Sequence, residues 1–409
     1  MSDLTVEVDP DQVGFDPVRL DRIDRHFARY VDDGRLPGWL IAVSRAGQLA
    51  HVSTYGHRDV ENGLPVELDS LFRIYSMSKP ITSVAAMMLY EEGAFQLKDP
   101  VSKFIPSFAD PRVYVSGPTH APVTVPAAEP MRIWHLLTHT AGLTYGFHHA
   151  HPVDAMYRAA GFDFGDASVG LDEACERWAS MPLLFEPGTE WNYSVATDVL
   201  GRVVEVASGQ SLDEFLAERI FGPLGMVDTA FWAPEADHHR LAALYVPGAE
   251  GQATRADMLG DAIMRRPPML SGGGGLVGTA ADYHRFTQML LRGGELDGTR
   301  LLGRATVDFM TANHLPGGVD LETIARPTFS ETSFTGMGFG LGFSVVDSPA
   351  ENKVLSSPGE YAWGGAASTG FFVDPVEEIT ALIFTQLLPS STYNLRAQLK
   401  PLVYQALVD

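Results

Sequence analysis

Two hydrophobic rhythms divide this chain. Near the start, Asp16-Pro17 supplies a helix cap and a proline at the first helical position, and Leu20, Ile23, Phe27 and Val31 then recur on one helical face. Leu40–Ser44 and Leu49–Tyr55, on either side of Ala46-Gly47, predict a β-hairpin. Ser76 to about Glu92 reads as a helix with Val84, Met87 and Met88 apolar and Gly93 ending it. From roughly 100 to 330 the pattern is mainly helix and loop. Ser211 with Glu214, and Thr279 with Asp282, are placed as capping boxes, while proline and glycine at 106–130 and 266–278 predict long surface loops. Strand patterns return at Gly340–Val346, Ser368–Val373 and Ile379–Thr385. A last helix from about Asn394 carries Leu395, Leu399, Leu402 and Val403, with a bend expected at Pro401.

Strands at both ends with helices between predict an α+β fold: one antiparallel sheet drawn from both termini and flanked by helices. The expected division is an α/β part, 1–100 and 330–409, and a mainly helical inserted region, 101–329. There is no internal repeat.

Composition narrows the function. Apolar residues are 45 % and charged residues 20 %, ordinary for a globular protein with a sizeable core. The formal charge of −22 would repel phosphate backbones and anionic lipid, so no nucleic-acid or membrane partner is expected. Cys175 is the single cysteine, so no intrachain disulfide can form, and its setting in Leu171–Ala179 predicts a buried helical position. The opening MSDLTVEVDPDQ lacks a basic segment followed by an apolar one, and no apolar run reaches membrane-spanning length; the expectation is a cytoplasmic protein.

The chemistry starts at Ser76-Met77-Ser78-Lys79. A serine hydroxyl needs a base within hydrogen-bond reach, and residues three apart share a helix face, so Lys79 falls beside Ser76. Of the five lysines only Lys79 has a serine three positions before it. A helix start also favours developing negative charge. By spacing alone the tetrad equally fits a helix cap followed by a solvated lysine.

The surroundings of the tetrad change that balance. The stretch from Leu71 to Thr82 (LFRIYSMSKPIT), the stretch from Glu92 to Val101 (EGAFQLKDPV) and the stretch from Ile133 to Leu143 (IWHLLTHTAGL) resemble segments of the serine β-lactamase and penicillin-binding-protein superfamily. The resemblance implies that fold, with Ser76 as nucleophile. It implies a second motif at Tyr193-Ser194-Val195, where Tyr193 would relay the proton of Ser76 and deliver it to the leaving group. A phenol of ordinary pKa, roughly 10, is a weak base unless a cation favours its phenolate, and Lys79 would be that cation, the two titrating together. Val195 stands where the family has an asparagine that holds the acylamino side chain of lactams and peptides. The third motif, Lys-Thr-Gly in the family, is matched by Trp363-Gly364-Gly365, followed by Ala366. The lysine that holds a substrate carboxylate is thus replaced by an apolar ring, and the N–H of Ala366 would pair with that of Ser76 as an oxyanion hole.

Both departures remove groups that read a carboxylate or an amide, while the set needed for acyl transfer survives. That pattern resembles the carboxylesterase branch of the superfamily. It implies a cofactor-free esterase acting on small or short-chain esters through an acyl-enzyme on Ser76. Trp363, Gly364, Gly365, Val195 and Tyr145 are expected to line the site. A β-lactamase, D-amino-acid peptidase or amidase, or an acyltransferase on the same fold remain alternatives, as does a non-catalytic binding protein. The sequence leaves the oligomeric state open. No Gly-x-Ser-x-Gly elbow occurs. His148-His149-Ala150-His151 reads as a loop that could border the pocket with Tyr145 and Phe147. His238-His239 reads as exposed, and Gly272–Gly275 as a close backbone turn near the active site.

Overall fold

The computed structural model describes residues 4–164, 168–256, 261–326 and 334–409. The expected division at 330 lies outside the described residues. An eight-stranded sheet dominates. Its strands are β1 (Gly38–Arg45), β2 (Gln48–Asp59), β3 (Leu64–Pro65), β4 (Met337–Phe339), β5 (Ser344–Val346), β6 (Tyr361–Gly364), β7 (Gly370–Asp374) and β8 (Ile379–Phe384). The order is β4-β5-β6-β7-β8-β1-β2-β3, and every pairing is antiparallel. The two ends of the chain meet at the β8–β1 ladder, where Leu40 faces Phe384 and Val43 faces Ala381. The β1–β2 turn is the expected Ala46-Gly47, with φ of 52° and 78°, as a two-residue hairpin turn with left-handed central residues requires.

Alternation along β1 and β8 assigns each side chain to one of two cores. Trp39, Ile41, Val43, Ile379, Ala381 and Ile383 face helices α1 (Arg22–Asp32) and α5 (Leu395–Tyr404). Leu40, Ala42, Leu382 and Phe384 face α2 (Ser78–Glu91) and α4 (Ala280–Leu291). Both faces are covered, so these strands read as nearly continuous apolar runs. Helix α2 is buried from Ser78 through Leu89, enclosed between the sheet and the helical region that contains α3 (Ala196–Ser208). One apolar cluster runs without interruption from the sheet into that region, joining Phe371 and Leu382 to Val199 and Phe215. Helix α4 lies between 101 and 329 in sequence but packs on the sheet: the Tyr283 ring sits 5.1 Å from Phe371, and Gln288 Nε2 donates to Ser44 Oγ at 2.8 Å.

Several local expectations need correction. The first helix is broken at Asp21: Asp16 caps a short turn, Pro17–Leu20, before α1 begins. The 106–130 stretch holds a hairpin, Arg112–Ser116 with Val123–Pro126. Gly340–Val346 is a strand only from Ser344, and the Met337–Phe339 strand precedes it. Helix α5 runs through Pro401. Cys175 is buried, as its helical setting predicts. Among the described residues no helix is long and apolar enough to cross a membrane.

Candidate active site

The short strand Phe72–Arg73 delivers the chain to a single 3-10 turn, Tyr75–Met77, and α2 starts at Ser78. Tyr75 has φ of 44°, a left-handed conformation that a bulky residue adopts at a cost. The surroundings that hold it turn Ser76 out of the helix axis at the mouth of α2. Ser76 is therefore just before the helix, not in it as the sequence pattern predicted. The three-residue spacing still brings Lys79 Nζ to 3.4 Å from Ser76 Oγ.

Lys79 is almost completely buried, at 2 % exposure. An ammonium has three N–H donors, and here it meets three acceptors: Ser76 Oγ, Tyr145 OH at 3.0 Å and the Gly273 carbonyl at 2.6 Å. The glycine stretch 272–275 is thus a wall of the lysine site, and the Gly272 carbonyl accepts from Thr82 Oγ1 on the next turn of α2.

Tyr193 comes from the segment before α3. Asn192 pins that segment, its side-chain amide donating to the Leu143 carbonyl at 2.9 Å and its N–H to the His139 carbonyl at 3.0 Å. The Tyr193 hydroxyl lies 2.6 Å from Ser76 Oγ, and Lys79 Nζ sits 4.5 Å from its ring centroid. The ring is flanked by His139 at 5.0 Å, Tyr145 at 5.4 Å and Trp363 at 5.5 Å. His139 is wholly buried, and burial together with the Lys79 charge pushes its imidazole well below the usual range, so it packs as a neutral ring. Burial pushes the Tyr145 phenol well above its ordinary value, so it stays protonated.

Trp363 and Gly364 end β6, and Gly365 follows. A Cβ on Gly365 would lie 2.4 Å from the Ile74 carbonyl, so the missing side chain lets the strand end close onto the nucleophile segment. Ala366 comes next and lines the same cleft as Ser76, with Val195 also on its wall. The cleft encloses about 1340 Å³ and is rich in aromatic rings, among them Tyr75, Phe147, Phe164 and Trp191. Phe147 stacks on Tyr145 at 4.6 Å.

A cation does lie near the end of β6 in space, but on the sheet face opposite Trp363. Arg396 of α5 donates to the carbonyls of Gly365 and Thr369, and a Cβ on Gly364 would collide with its guanidinium. Side chains alternate across a strand, so Arg396 occupies the Gly364 face while Trp363 points to the Tyr193 face.

Of the expected site residues, Ser76, Tyr193, Tyr145, Val195, Trp363, Gly364, Gly365 and Ala366 border one cleft, and Lys79 lies buried behind it against Ser76, Tyr145 and Gly273. His151 instead caps the helix Pro152–Ala159, and His148 Nδ1 lies 3.4 Å from Thr144 Oγ1. His238 is half-buried and His239 exposed. Among the described residues no group of three or more His, Cys, Asp or Glu could hold a metal ion. Sequence reasoning missed Asp198, wholly buried on α3, which accepts from Ser271 Oγ at 2.5 Å and from the Gly273 N–H at 3.0 Å. Its only sequence signal was a carboxylate inside the mostly apolar run Val195–Val204.

Comparison with known proteins agrees with this geometry. The chain is 35 % identical over 384 residues, 93 % of either chain, to Protein Rv1367c of Mycobacterium tuberculosis. It is 31 % identical to Esterase EstB of Burkholderia gladioli, covering 92 % of this chain and 93 % of that one. Among solved structures, EstCE1, a hydrolase with promiscuous acyltransferase activity, superposes with a TM-score of 0.80 at 27 % identity, covering 95 % of this chain and 99 % of the other. The sequence profile described as Beta-lactamase matches residues 23–404. The chain belongs to the Beta-lactamase family.

Proposed function

We propose that this protein is a serine carboxylesterase that hydrolyses small, uncharged esters through an acyl-enzyme on Ser76. The observation that carries the reading is the hydroxyl of Ser76 held 2.6 Å from Tyr193 OH beside a buried Lys79, in a cleft walled by Val195 and Trp363. Lys79 as an ammonium commits its three donors, which leaves Tyr193 as the group that exchanges a proton with Ser76. With Tyr193 acting as the phenolate that the neighbouring Lys79 ammonium favours, Ser76 Oγ attacks the acyl carbon and its proton passes to that phenolate oxygen. The tetrahedral adduct collapses, and the leaving alcohol takes that proton. Water then attacks the acyl-serine ester, again giving its proton to Tyr193, and the acid departs as Ser76 is reprotonated. The N–H groups of Ser76 and Ala366 are assigned to the developing oxyanion. The similarity to EstB supports an ester as substrate. Val195 and Trp363, standing where the family carries an asparagine and a lysine, argue against lactams and peptides.

Steady-state hydrolysis of a p-nitrophenyl ester series beside a chromogenic cephalosporin tests this, with wild type and Ser76→Ala. Ester turnover that vanishes in Ser76→Ala, with little lactam opening, is expected. Efficient lactam opening would overturn the substrate assignment. A second reading, acyl transfer, draws on the likeness to EstCE1 and on a cleft of about 1340 Å³, roomier than a short ester needs. Added alcohols would then divert the acyl group from water.

A further inference from the structure

We propose that Asp198 is a positioning residue for catalysis, the buried counter-charge that acts through the backbone of Gly273 to hold Lys79 as an oriented ammonium. The proposal rests on the Ser76–Lys79–Tyr193 reading above. Lys79 is buried, and among the described residues no carboxylate touches it. An uncompensated buried ammonium is strongly disfavoured. Asp198 supplies the missing negative charge one residue away. Gly273 accepts from Lys79 with its carbonyl and donates to Asp198 with its N–H, so one residue fixes both groups. A Cβ on Gly273 would lie 2.6 Å from Asp198 Oδ2, so only glycine leaves room for this contact. Ser271 Oγ fills a further site on the same carboxylate.

The other groups near this pair carry no charge that could substitute. Burial pushes the Tyr145 phenol and the Cys175 thiol well above their ordinary values, and holds His139 neutral. Tyr193 faces Lys79 through its ring. Further along α3, Arg202 and Glu205 pair with each other at 2.9 Å. Burial pushes the Asp198 carboxyl up, while the Lys79 charge, the Ser271 hydroxyl and the Gly273 N–H pull it back. Asp198 thus faces Lys79 across Gly273 as the carboxyl that answers its charge.

The test is the pH dependence of kcat and KM for p-nitrophenyl ester hydrolysis in wild type, Asp198→Asn, Asp198→Glu and Gly273→Ala, with folding followed by circular dichroism. Loss of the negative charge favours neutral Lys79 and anionic Tyr193. Both limbs of the Asp198→Asn profile should thus move to lower pH, by about one unit. Its kcat should fall roughly 10- to 100-fold with KM little changed, the pattern of a misplaced catalytic group. Asp198→Glu keeps the charge and should keep the wild-type profile even at reduced kcat. Gly273→Ala displaces the carboxylate without removing any ionisable group and should shift the profile as Asp198→Asn does. It also serves if Asp198→Asn does not fold. A folded Asp198→Asn or Gly273→Ala with the wild-type profile and kcat would overturn the proposal. A wild type that neither turns over esters nor is labelled at Ser76 by a fluorophosphonate would instead overturn the underlying reading.

Discussion

At the scale of single residues, Ser76, the proposed nucleophile, makes two contacts of different origin. The one to Lys79 is local, set by helical spacing, and could be read from the tetrad. The one to Tyr193 joins residues 117 apart in sequence and could be anticipated only from the family resemblance. Removing either partner leaves the hydroxyl without its proton relay. Lys79→Ala and Tyr193→Phe are each expected to lower kcat by roughly 10²- to 10⁴-fold while the protein stays folded, as a proton-transfer role requires. Ser76→Ala should abolish covalent labelling by a fluorophosphonate. Near-wild-type turnover in any of the three would refute the assignment. Asp198, Ser271 and Gly273 were not legible as a group. Their contacts span more than seventy residues, and each residue type is common in loops and helices.

At the scale of elements, the site depends on how closely β6 reaches the nucleophile segment. Gly365→Ala would place a methyl against the Ile74 carbonyl and push the strand end, with Ala366, away from Ser76. A displacement of that kind costs on the order of 10²-fold in kcat with little change in stability, measurable by kinetics and thermal unfolding side by side. The scaffold elements respond differently. Thr279 Oγ1 accepts from the Asp282 N–H at the start of α4, and Thr279→Ala should cost about 1 kcal/mol in urea unfolding. Leu382, wholly buried on the central strand β8, should cost about 2–5 kcal/mol when cut to alanine. The elements that sequence found best, the β1–β2 hairpin and α2, are those whose pattern and turn residues agree. Those it missed are masked by glycine and proline. Gly338 and Gly340 sit around the β4 strand because a Cβ there would strike the Asn313 side chain and the Met310 carbonyl, and their presence erases the strand pattern.

For the whole molecule, the buried ionisable groups set opposing pH dependences. Burial holds His135 down at about 3, and its Nδ1 accepts the Arg132 N–H at 3.0 Å, which only the neutral ring can do. Between that value and the ordinary 6.5 the unfolded chain binds a proton that the folded one does not, so stability falls as pH drops through this window. Asp282 acts with the opposite sign. Burial raises its carboxyl to about 6, and Oδ1 has no hydrogen-bond partner, so the folded chain binds the extra proton and stability rises as pH falls from about 6 toward 3.8. With His139, His148, His151 and His284 also held low, the imidazoles outnumber the carboxyls that burial raises, Asp198, Asp282, Asp347 and Glu360. The melting temperature is expected to drop between pH 7 and 4.5. His135→Gln should flatten that drop and Asp282→Asn should steepen it; unchanged slopes in both would refute the assignment.

The sequence by itself determined the α+β plan, the β1–β2 hairpin, the helix whose first turn sets Lys79 beside Ser76, and the loss of the family's amide and cation at 195 and 363. The plan and the elements follow from periodicity, turn residues and short-range spacing, and the two losses from the resemblance of short motifs to those of the family; all are properties of contiguous segments. Only the tertiary structure decided where charge and space lie: that Lys79 spends its three donors on Ser76, Tyr145 and Gly273, that Arg396 lies on the Gly364 face of the sheet, opposite Trp363, and that Asp198 backs the lysine through a glycine. Hydrogen bonds and burial between distant segments exist only once the chain has closed its two ends into one sheet, so no local pattern could carry them.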